Sequence, residues 1–235
     1  MAMKPRRNTT ADFSTMPLGF PLKVGAALPS WRELEDAAPS PCNADKWKSF
    51  MKTVNEEGIL TFYSRSACGV QKYLSNFQET PRPLRFLGKR FRTVEHAFQA
   101  SKWLYARRGP RKDMFAALAI GGKWGDLPGK KAKGKGGKGA FGKQKPKEEL
   151  DVDLWNEQHV ALTQAILKAR AAVDPLFRNI LARARADGVM PVHFVSMRGA
   201  KSQVLPFWGV KSINKKNPGY LKGRNMLGKL MMYSL

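Results

Sequence analysis

The sequence predicts a mixed fold, mostly helical, with a few short strands. Three observations carry that expectation. An apolar stripe runs at helical spacing over about residues 153–173, an Asp174-Pro175 pair opens a second helix directly behind it, and short runs rich in β-formers sit beside glycines at 59–64 and 84–91.

A chain of 235 residues is long enough to bury a substantial core, and 13 Phe, 6 Trp and 5 Tyr separate it from disordered sequences. No apolar run nears the roughly 18–20 residues of a membrane-spanning helix. The basic start at 1–7 leads into polar residues and not into the apolar core of a signal peptide. The two cysteines, Cys42 and Cys68, are too few for a disulfide framework and lack C-x-x-C spacing. These features describe a reduced, intracellular, soluble protein. With 42 Lys and Arg against 18 Asp and Glu, the formal net charge is +24, which attracts polyanions wherever the charge is clustered.

In chain order, Pro5, Pro17, Pro21, Pro29, Pro39 and Pro41 predict an irregular N-terminal arm over 1–45, leaving 46–235 as one domain. Trp47, Phe50, Met51 and Val54 recur at helical spacing and predict a helix over 44–57. A buried strand follows at 59–64, then a hairpin around Gly88. Thr93 is placed to cap a helix over 94–105, and a short helix over 113–120 stops at Gly121-Gly122. Residues 129–147 hold eight lysines, six glycines and no acid, a composition that predicts a disordered insertion. Lysine alternating with glycine suits a phosphate backbone without reading bases; the same composition also suits a plain solvated loop.

In the long helix, Trp155, Leu162, Ile166, Ala169 and Val173 form the apolar stripe, and the next helix runs through Ala186 to a stop at Gly188. A short strand is expected at 193–196 and a closing helix over 223–235, where Met226, Leu227, Leu230 and Met231 share a face. Beyond Asp187 there are eight basic residues and no acid, which predicts a positive surface.

Several classes of chemistry are excluded. His96, His159 and His193 lie far apart with no ligand spacing, so no metal site is expected, and His193 reads as a structural residue of its strand. No glycine-rich dinucleotide or P-loop fingerprint follows a strand, and there is no nucleophile elbow. What remains is four polar–aromatic clusters: Phe62-Tyr63-Ser64-Arg65-Ser66; Tyr73-Leu74-Ser75-Asn76-Phe77; the stretch from Thr93 to Trp103; and Phe207-Trp208-Gly209 with Lys222-Gly223-Arg224-Asn225-Met226-Leu227-Gly228 behind it.

Taken together these clusters resemble the NADAR (YbiA-like) family. The likeness lies in Phe62-Tyr63-Ser64, then Leu74-Ser75-Asn76-Phe77, then Thr93-x-Glu95-His96-x-Phe98-Gln99-Ala100-x-Lys102, then Trp208-Gly209, and finally Gly223-Arg224-Asn225-Met226-Leu227-Gly228-Lys229-Leu230-Met231, with Trp155 opening the long middle helix. It spans about residues 59–235 without the lysine-rich insertion. The resemblance implies an α+β fold, mostly helical around a small β-sheet. It also implies an N-glycosidase that hydrolyses the bond between ADP-ribose and guanine, with ADP-ribose as ligand, ADP-ribosylated DNA or RNA as partner, and no cofactor. Two alternatives stay open: an N-glycosidase for phosphorylated riboflavin-pathway intermediates, and a catalytically weak module that binds ADP-ribose or nucleic acid.

On this resemblance Glu95 is the catalytic carboxyl. Phe62, Tyr63, Ser64, Arg65, Asn76, Phe77, His96, Gln99, Lys102, Trp155, Trp208, Gly209, Arg224 and Asn225 are the substrate-binding set. Local chemistry offers each a role and a plain alternative. Glu95 falls in the first turn after the Thr93 cap, where the helix dipole favours a carboxylate suited to a general base, unless burial raises its pKa. Lys102 lies two turns further on the same face and, like Arg65 or Arg224, suits a phosphate or simply faces solvent. Trp155 and Trp208 stack a base or fill core; Asn76 and Asn225 orient sugar hydroxyls or satisfy turn backbone. The chain departs from the family at Leu205 and Val210, where members commonly carry acids. Glycosidic hydrolysis usually employs two carboxyl groups, so that departure bears on activity.

Overall fold

A computed structural model of the chain describes residues 27–194, 207–214 and 217–235. It is an α+β fold, mostly helical, with its strands in two-stranded pairs. Most of the arm predicted over 1–45 lies outside the described residues, but its last part is ordered. Helix α1 (Trp31–Asp36) begins with a capping box in which Ser30 and Glu33 satisfy each other's backbone, and it buries Trp31, Leu34 and Glu35. Helix α2 (Ala44–Glu57) is capped by Asn43 and ends at Gly58, whose φ of 62° lets the chain turn into strand β1 (Ile59–Phe62).

The buried Glu35 carboxylate explains why this region is not a loose arm. It accepts hydrogen bonds from the backbone N–H groups of Cys42 at 2.7 Å, Gly69 at 2.8 Å and Val70 at 2.8 Å, binding α1 to the start of helix α3 (Gly69–Tyr73). Gly69 is required by this packing, since a Cβ there would stand 2.7 Å from the Ala38 Cβ. The same contacts bring Cys42 and Cys68 together as a disulfide, with Cα atoms 4.7 Å apart. The expectation of two unpaired, reduced cysteines is corrected accordingly. Spacing in sequence gave no hint, because the pairing depends on the carboxylate between them.

Strands β2 (Glu79–Phe86) and β3 (Lys89–Thr93) form the expected hairpin, with Leu87 and Gly88 both at positive φ in the turn. Helix α4 (Val94–Lys102) follows β3 at once, capped by Thr93, and continues as a 3-10 turn through Tyr105. Helix α5 (Lys112–Ala117) is next, followed by the lysine-rich segment.

That segment is folded, contrary to the expectation of a disordered insertion over 129–147. It comprises α6 (Gly129–Ala132), a 3-10 turn (Lys133–Gly136) and α7 (Lys138–Gly142). Its few apolar groups are all committed to the core. Ala132 is fully buried, and the Phe141 ring stacks on Trp103 with centroids 3.8 Å apart and planes 9° from parallel. Trp103 Nε1 donates to the Lys135 carbonyl at 3.0 Å, and Gly136 sits so close to α4 that a Cβ would meet the Gln99 backbone carbonyl at 2.6 Å. Glycine is there for close approach, not for flexibility.

Helix α8 (Val152–Val173) packs on β2 and α4, and α9 (Pro175–Ala186) starts from the Asp174 cap with proline at its first position, as the sequence predicts. The buried face of α8 includes Arg170 where Ala169 and Val173 are only partly covered. Arg170 pairs with Asp174 at 3.1 Å, both side chains fully buried, and donates to the carbonyls of Tyr73 at 2.6 Å and Ser75 at 3.1 Å. The Tyr73 hydroxyl donates to Asp174 at 2.9 Å, and burial pushes that phenol well above its ordinary pKa. This network clamps the chain at 73–75, immediately before Asn76.

Strand β4 (Met190–His193) pairs in parallel with β1, three residues earlier than predicted; residues 195 and 196 of the expected 193–196 strand lie outside the described residues. Strands β5 (Lys211–Asn214) and β6 (Asn217–Lys222) form a second hairpin, and α10 (Met226–Met232) closes the chain against β4. Buried apolar side chains from Trp31 to Met231 make one core cluster. Among the described residues no helix is long and apolar enough to cross a membrane.

Candidate active site

The site forms where α4 begins, at the junction of the Ser75–Phe77 turn, β4 and the lysine-rich segment. Thr93 Oγ1 accepts from the His96 N–H at 3.2 Å and meets His96 Nδ1 at 2.9 Å, fixing the first turn. The Glu95 N–H donates to the Asn76 carbonyl at 3.0 Å, which ties that turn to the chain clamped by Arg170. The Glu95 side chain is thereby directed into the space between them. It is 6% exposed, and its Oε1 accepts from Gln99 Nε2 at 2.8 Å, one helical turn along.

Two compartments meet at Glu95. The outer one, about 620 Å³, is lined by Tyr63, Ser64 and Arg65 from the loop after β1, by Ser75, Asn76 and Phe77, and by Phe194. The inner one, about 300 Å³, is walled by Phe98, Trp155 and Trp208, with Gln99, Lys102, Thr163 and Leu227. Asn76, Glu95, Lys133 and His193 belong to both. A larger depression of about 750 Å³ runs along the surface of α2, but its lining comes from that one helix and includes no buried ionisable group. The chemistry points to the cleft at Glu95.

The three aromatic walls contact one another edge to face, Phe98 to Trp155 at 5.4 Å and Phe98 to Trp208 at 5.7 Å between centroids. Lys102 Nζ lies 5.0 Å from the Phe98 centroid and 5.8 Å from that of Trp155, an ammonium held over aromatic faces. Burial shifts both ionisable groups toward their neutral forms. The Glu95 carboxyl is raised above its ordinary range by desolvation, against the opposing pull of the Gln99 hydrogen bond and of the Lys133 and Lys102 ammoniums. Desolvation lowers Lys102, with Glu95 opposing it. The dipole argument from sequence favours an ionised Glu95; in the structure burial outweighs it.

Ten of the fifteen residues expected from the sequence line the cleft: Tyr63, Ser64, Arg65, Asn76, Phe77, Glu95, Gln99, Lys102, Trp155 and Trp208. Five do not, and each has a structural task. Phe62 is fully buried and stacks on His193 at 5.3 Å. His96 is fully buried beside its Thr93 cap. Gly209 lies under Gly223, where a Cβ would come within 2.8 Å of the Val210 Cα and closer still to the Gly209 carbonyl. Arg224 is exposed, with its guanidinium 5.7 Å from the Phe207 ring. Asn225, at a φ of 46°, spends its amide on β4: Oδ1 accepts from the His193 N–H at 3.0 Å and Nδ2 donates to the Pro191 carbonyl at 2.9 Å. The last motif therefore positions His193 and lines the cleft through Leu227.

His193 corrects another expectation. Among the described residues its Nδ1 is buried without a hydrogen-bond partner, as is Asn76 Oδ1, and both residues line both compartments. Desolvation lowers the His193 pKa and favours the neutral imidazole. With Gln99 Oε1 of the inner compartment, three such atoms sit on residues that line the cleft, the pattern of a ligand-binding surface. Sequence reasoning also missed Lys133, Ser75, Phe98, Thr163, Phe194 and Leu227. Of these Ser75, Phe98 and Leu227 were legible, since each sits inside a motif already singled out in the sequence. Val210 is buried and donates its N–H to the His193 carbonyl at 2.8 Å. Leu205 lies outside the described residues.

No protein-family model matches the chain, and no curated protein matches it.

Proposed function

We propose that this protein is an N-glycosidase that releases ADP-ribose from guanine in nucleic acid. The observation that carries the reading is Glu95: among the described residues it is the one carboxyl lining either compartment, and it sits where the two meet. Burial raises the Glu95 carboxyl above its ordinary range, the direction that suits a group that must hold and pass on a proton. In the proposed reaction the C1′–N bond breaks with its electron pair leaving on the base, and a water oxygen bonds to C1′. One water proton passes through Glu95 and ends on the departing base, so the carboxyl is restored after each turnover. A single carboxyl suffices here because the leaving group is a heteroaromatic nitrogen and not an alkoxide.

The surroundings support a nucleotide substrate. Phe98, Trp155 and Trp208 offer flat apolar faces to a base. Asn76 Oδ1 and His193 Nδ1, without partners among the described residues, can accept from sugar hydroxyls or ring N–H groups. Such a substrate places the protein inside a cell. A second reading has a specific observation in its favour: with Val210 where a second acid is common, the cleft holds one carboxyl, as a binding module for ADP-ribose would.

The test is a three-way assay of the wild-type protein on a guanine-ADP-ribosylated oligonucleotide, on a phosphorylated ribosylamine of the riboflavin pathway, and on free ADP-ribose by calorimetry. Release of ADP-ribose from the oligonucleotide is the expected outcome. Turnover of the ribosylamine alone would replace the substrate, and ADP-ribose binding without any turnover would establish the binding module.

A further inference from the structure

The lysine-rich segment enters the cleft, and it does so through one residue. Lys133 lines both compartments, and its charge acts on Glu95. Its place is fixed on each side. Ala132, immediately before it, is fully buried, and three residues later Gly136 lies against α4 at Gln99. Beyond that, Phe141 stacks on Trp103. Its backbone is therefore carried on an ordered wall, with Nζ 6.0 Å from the Phe77 ring of the outer compartment.

The outer compartment has an unusual charge balance. Arg65 and Lys133 enter it from separate parts of the chain, and the one carboxyl in it is Glu95. The inner compartment is walled by Phe98, Trp155 and Trp208, with Lys102 among them, whereas the outer one sets Tyr63, Phe77 and Phe194 beside polar groups and its two cations. A ligand with an apolar ring at one end and a doubly charged anion at the other matches both compartments at once.

We propose that Lys133 and Arg65 form a diphosphate-binding pair in the outer compartment, so that the segment 129–147 serves as the wall that selects nucleoside diphosphates over uncharged nucleosides. This rests on the proposed function for the nucleotide, but not for the anion. Arg65 supplies a planar fork for paired phosphate oxygens, and Lys133 a compact charge on a stem rooted in the ordered wall. The other lysines of the segment lie outside both compartments, with Lys135 half-buried over Trp124, and contribute only to the general positive field.

Deleting the segment would strip Ala132 and Phe141 from the core, so point variants are the right probes. Lys133→Gln and Arg65→Gln are compared with Lys138→Gln, which lies on the exposed side of the same segment and controls for net charge. Binding of inorganic pyrophosphate, ADP-ribose and adenosine is measured by calorimetry, with melting temperature as the check on folding. Lys133→Gln and Arg65→Gln are each expected to weaken pyrophosphate and ADP-ribose about tenfold or more, and to leave adenosine and melting unchanged. Lys138→Gln is expected to stay within about twofold of wild type. Equal losses in Lys133→Gln and Lys138→Gln would overturn the pair and leave only bulk charge. Unchanged ADP-ribose binding in Lys133→Gln would overturn it while leaving the glycosidase reading intact. Pyrophosphate binding lost with Lys133, but no ADP-ribose binding at all, would keep the pair and remove the ADP-ribose reading. Binding of none of the probes would overturn both.

Discussion

Replacing Phe141 by alanine tests whether the lysine-rich segment is a wall of the cleft or a loose loop. The ring is 2% exposed and stacked on the fully buried Trp103, so its loss removes both apolar burial and an aromatic pair. Large-to-small changes of this kind cost about 3–5 kcal/mol, with about 0.5–1.5 kcal/mol more for a stacked partner. The segment touches the rest of the protein mainly through α4 and the 3-10 turn after it, so the loss falls first on local opening and not on global unfolding. Its eight lysines make trypsin a direct probe. Where opening and closing outpace cleavage, the cutting rate follows the open population, and about 3 kcal/mol raises that population on the order of 100-fold. Cleavage within 129–147, followed by mass spectrometry, is expected to be slow in the wild type and about 100-fold faster in Phe141→Ala, with Phe141→Leu between them. Wild type cut in this segment as fast as Phe141→Ala would refute the reasoning, because only a disordered insertion has no stack to lose.

The remaining expectations concern buried charge. Asp174→Ala leaves the Arg170 guanidinium fully buried without its partner and should lower stability in urea by about 3–5 kcal/mol, whereas the double variant Arg170→Met/Asp174→Leu should recover much of it; a single variant as stable as wild type would dismiss the clamp. Glu95→Gln should alter stability with pH in a defined sense. A carboxyl with its pKa raised by folding makes the fold less stable as pH climbs from the ordinary value of about 4.5 through the raised one. Glu95→Gln is therefore expected to melt above the wild type at pH 8 and level with it near pH 4; a difference that is constant with pH would contradict the burial argument.

Much of the scaffold was legible because it is written locally. The Asp174-Pro175 start of α9, the Thr93 cap of α4 and the glycine turn between β2 and β3 need only adjacent residues, and all three stand as the sequence predicts. The site was legible where its residues fall within those elements, as Glu95, Gln99 and Lys102 do on α4. What was not legible depends on distant partners. Lys133 joins the cleft only because Phe141 finds Trp103, and composition says nothing of one aromatic pair. The availability of His193 Nδ1 reflects β4 being held by Asn225, 32 residues away. Cys42 and Cys68 meet through the Glu35 carboxylate between them, and the proton affinity of Glu95 is set by a wall the sequence left open. In each case tertiary burial overrode a sound local expectation.

Glu95 is the centre of the functional proposal, and its role is tested by the single-turnover rate of ADP-ribose release from a guanine-ADP-ribosylated oligonucleotide at neutral pH, wild type against Glu95→Gln. General acid–base catalysis by a positioned side chain contributes about 10²–10⁴-fold, so release should slow by that factor. ADP-ribose binding should survive the change. Release by Glu95→Gln within a few-fold of the wild-type rate would contradict the claim that this carboxyl carries the proton.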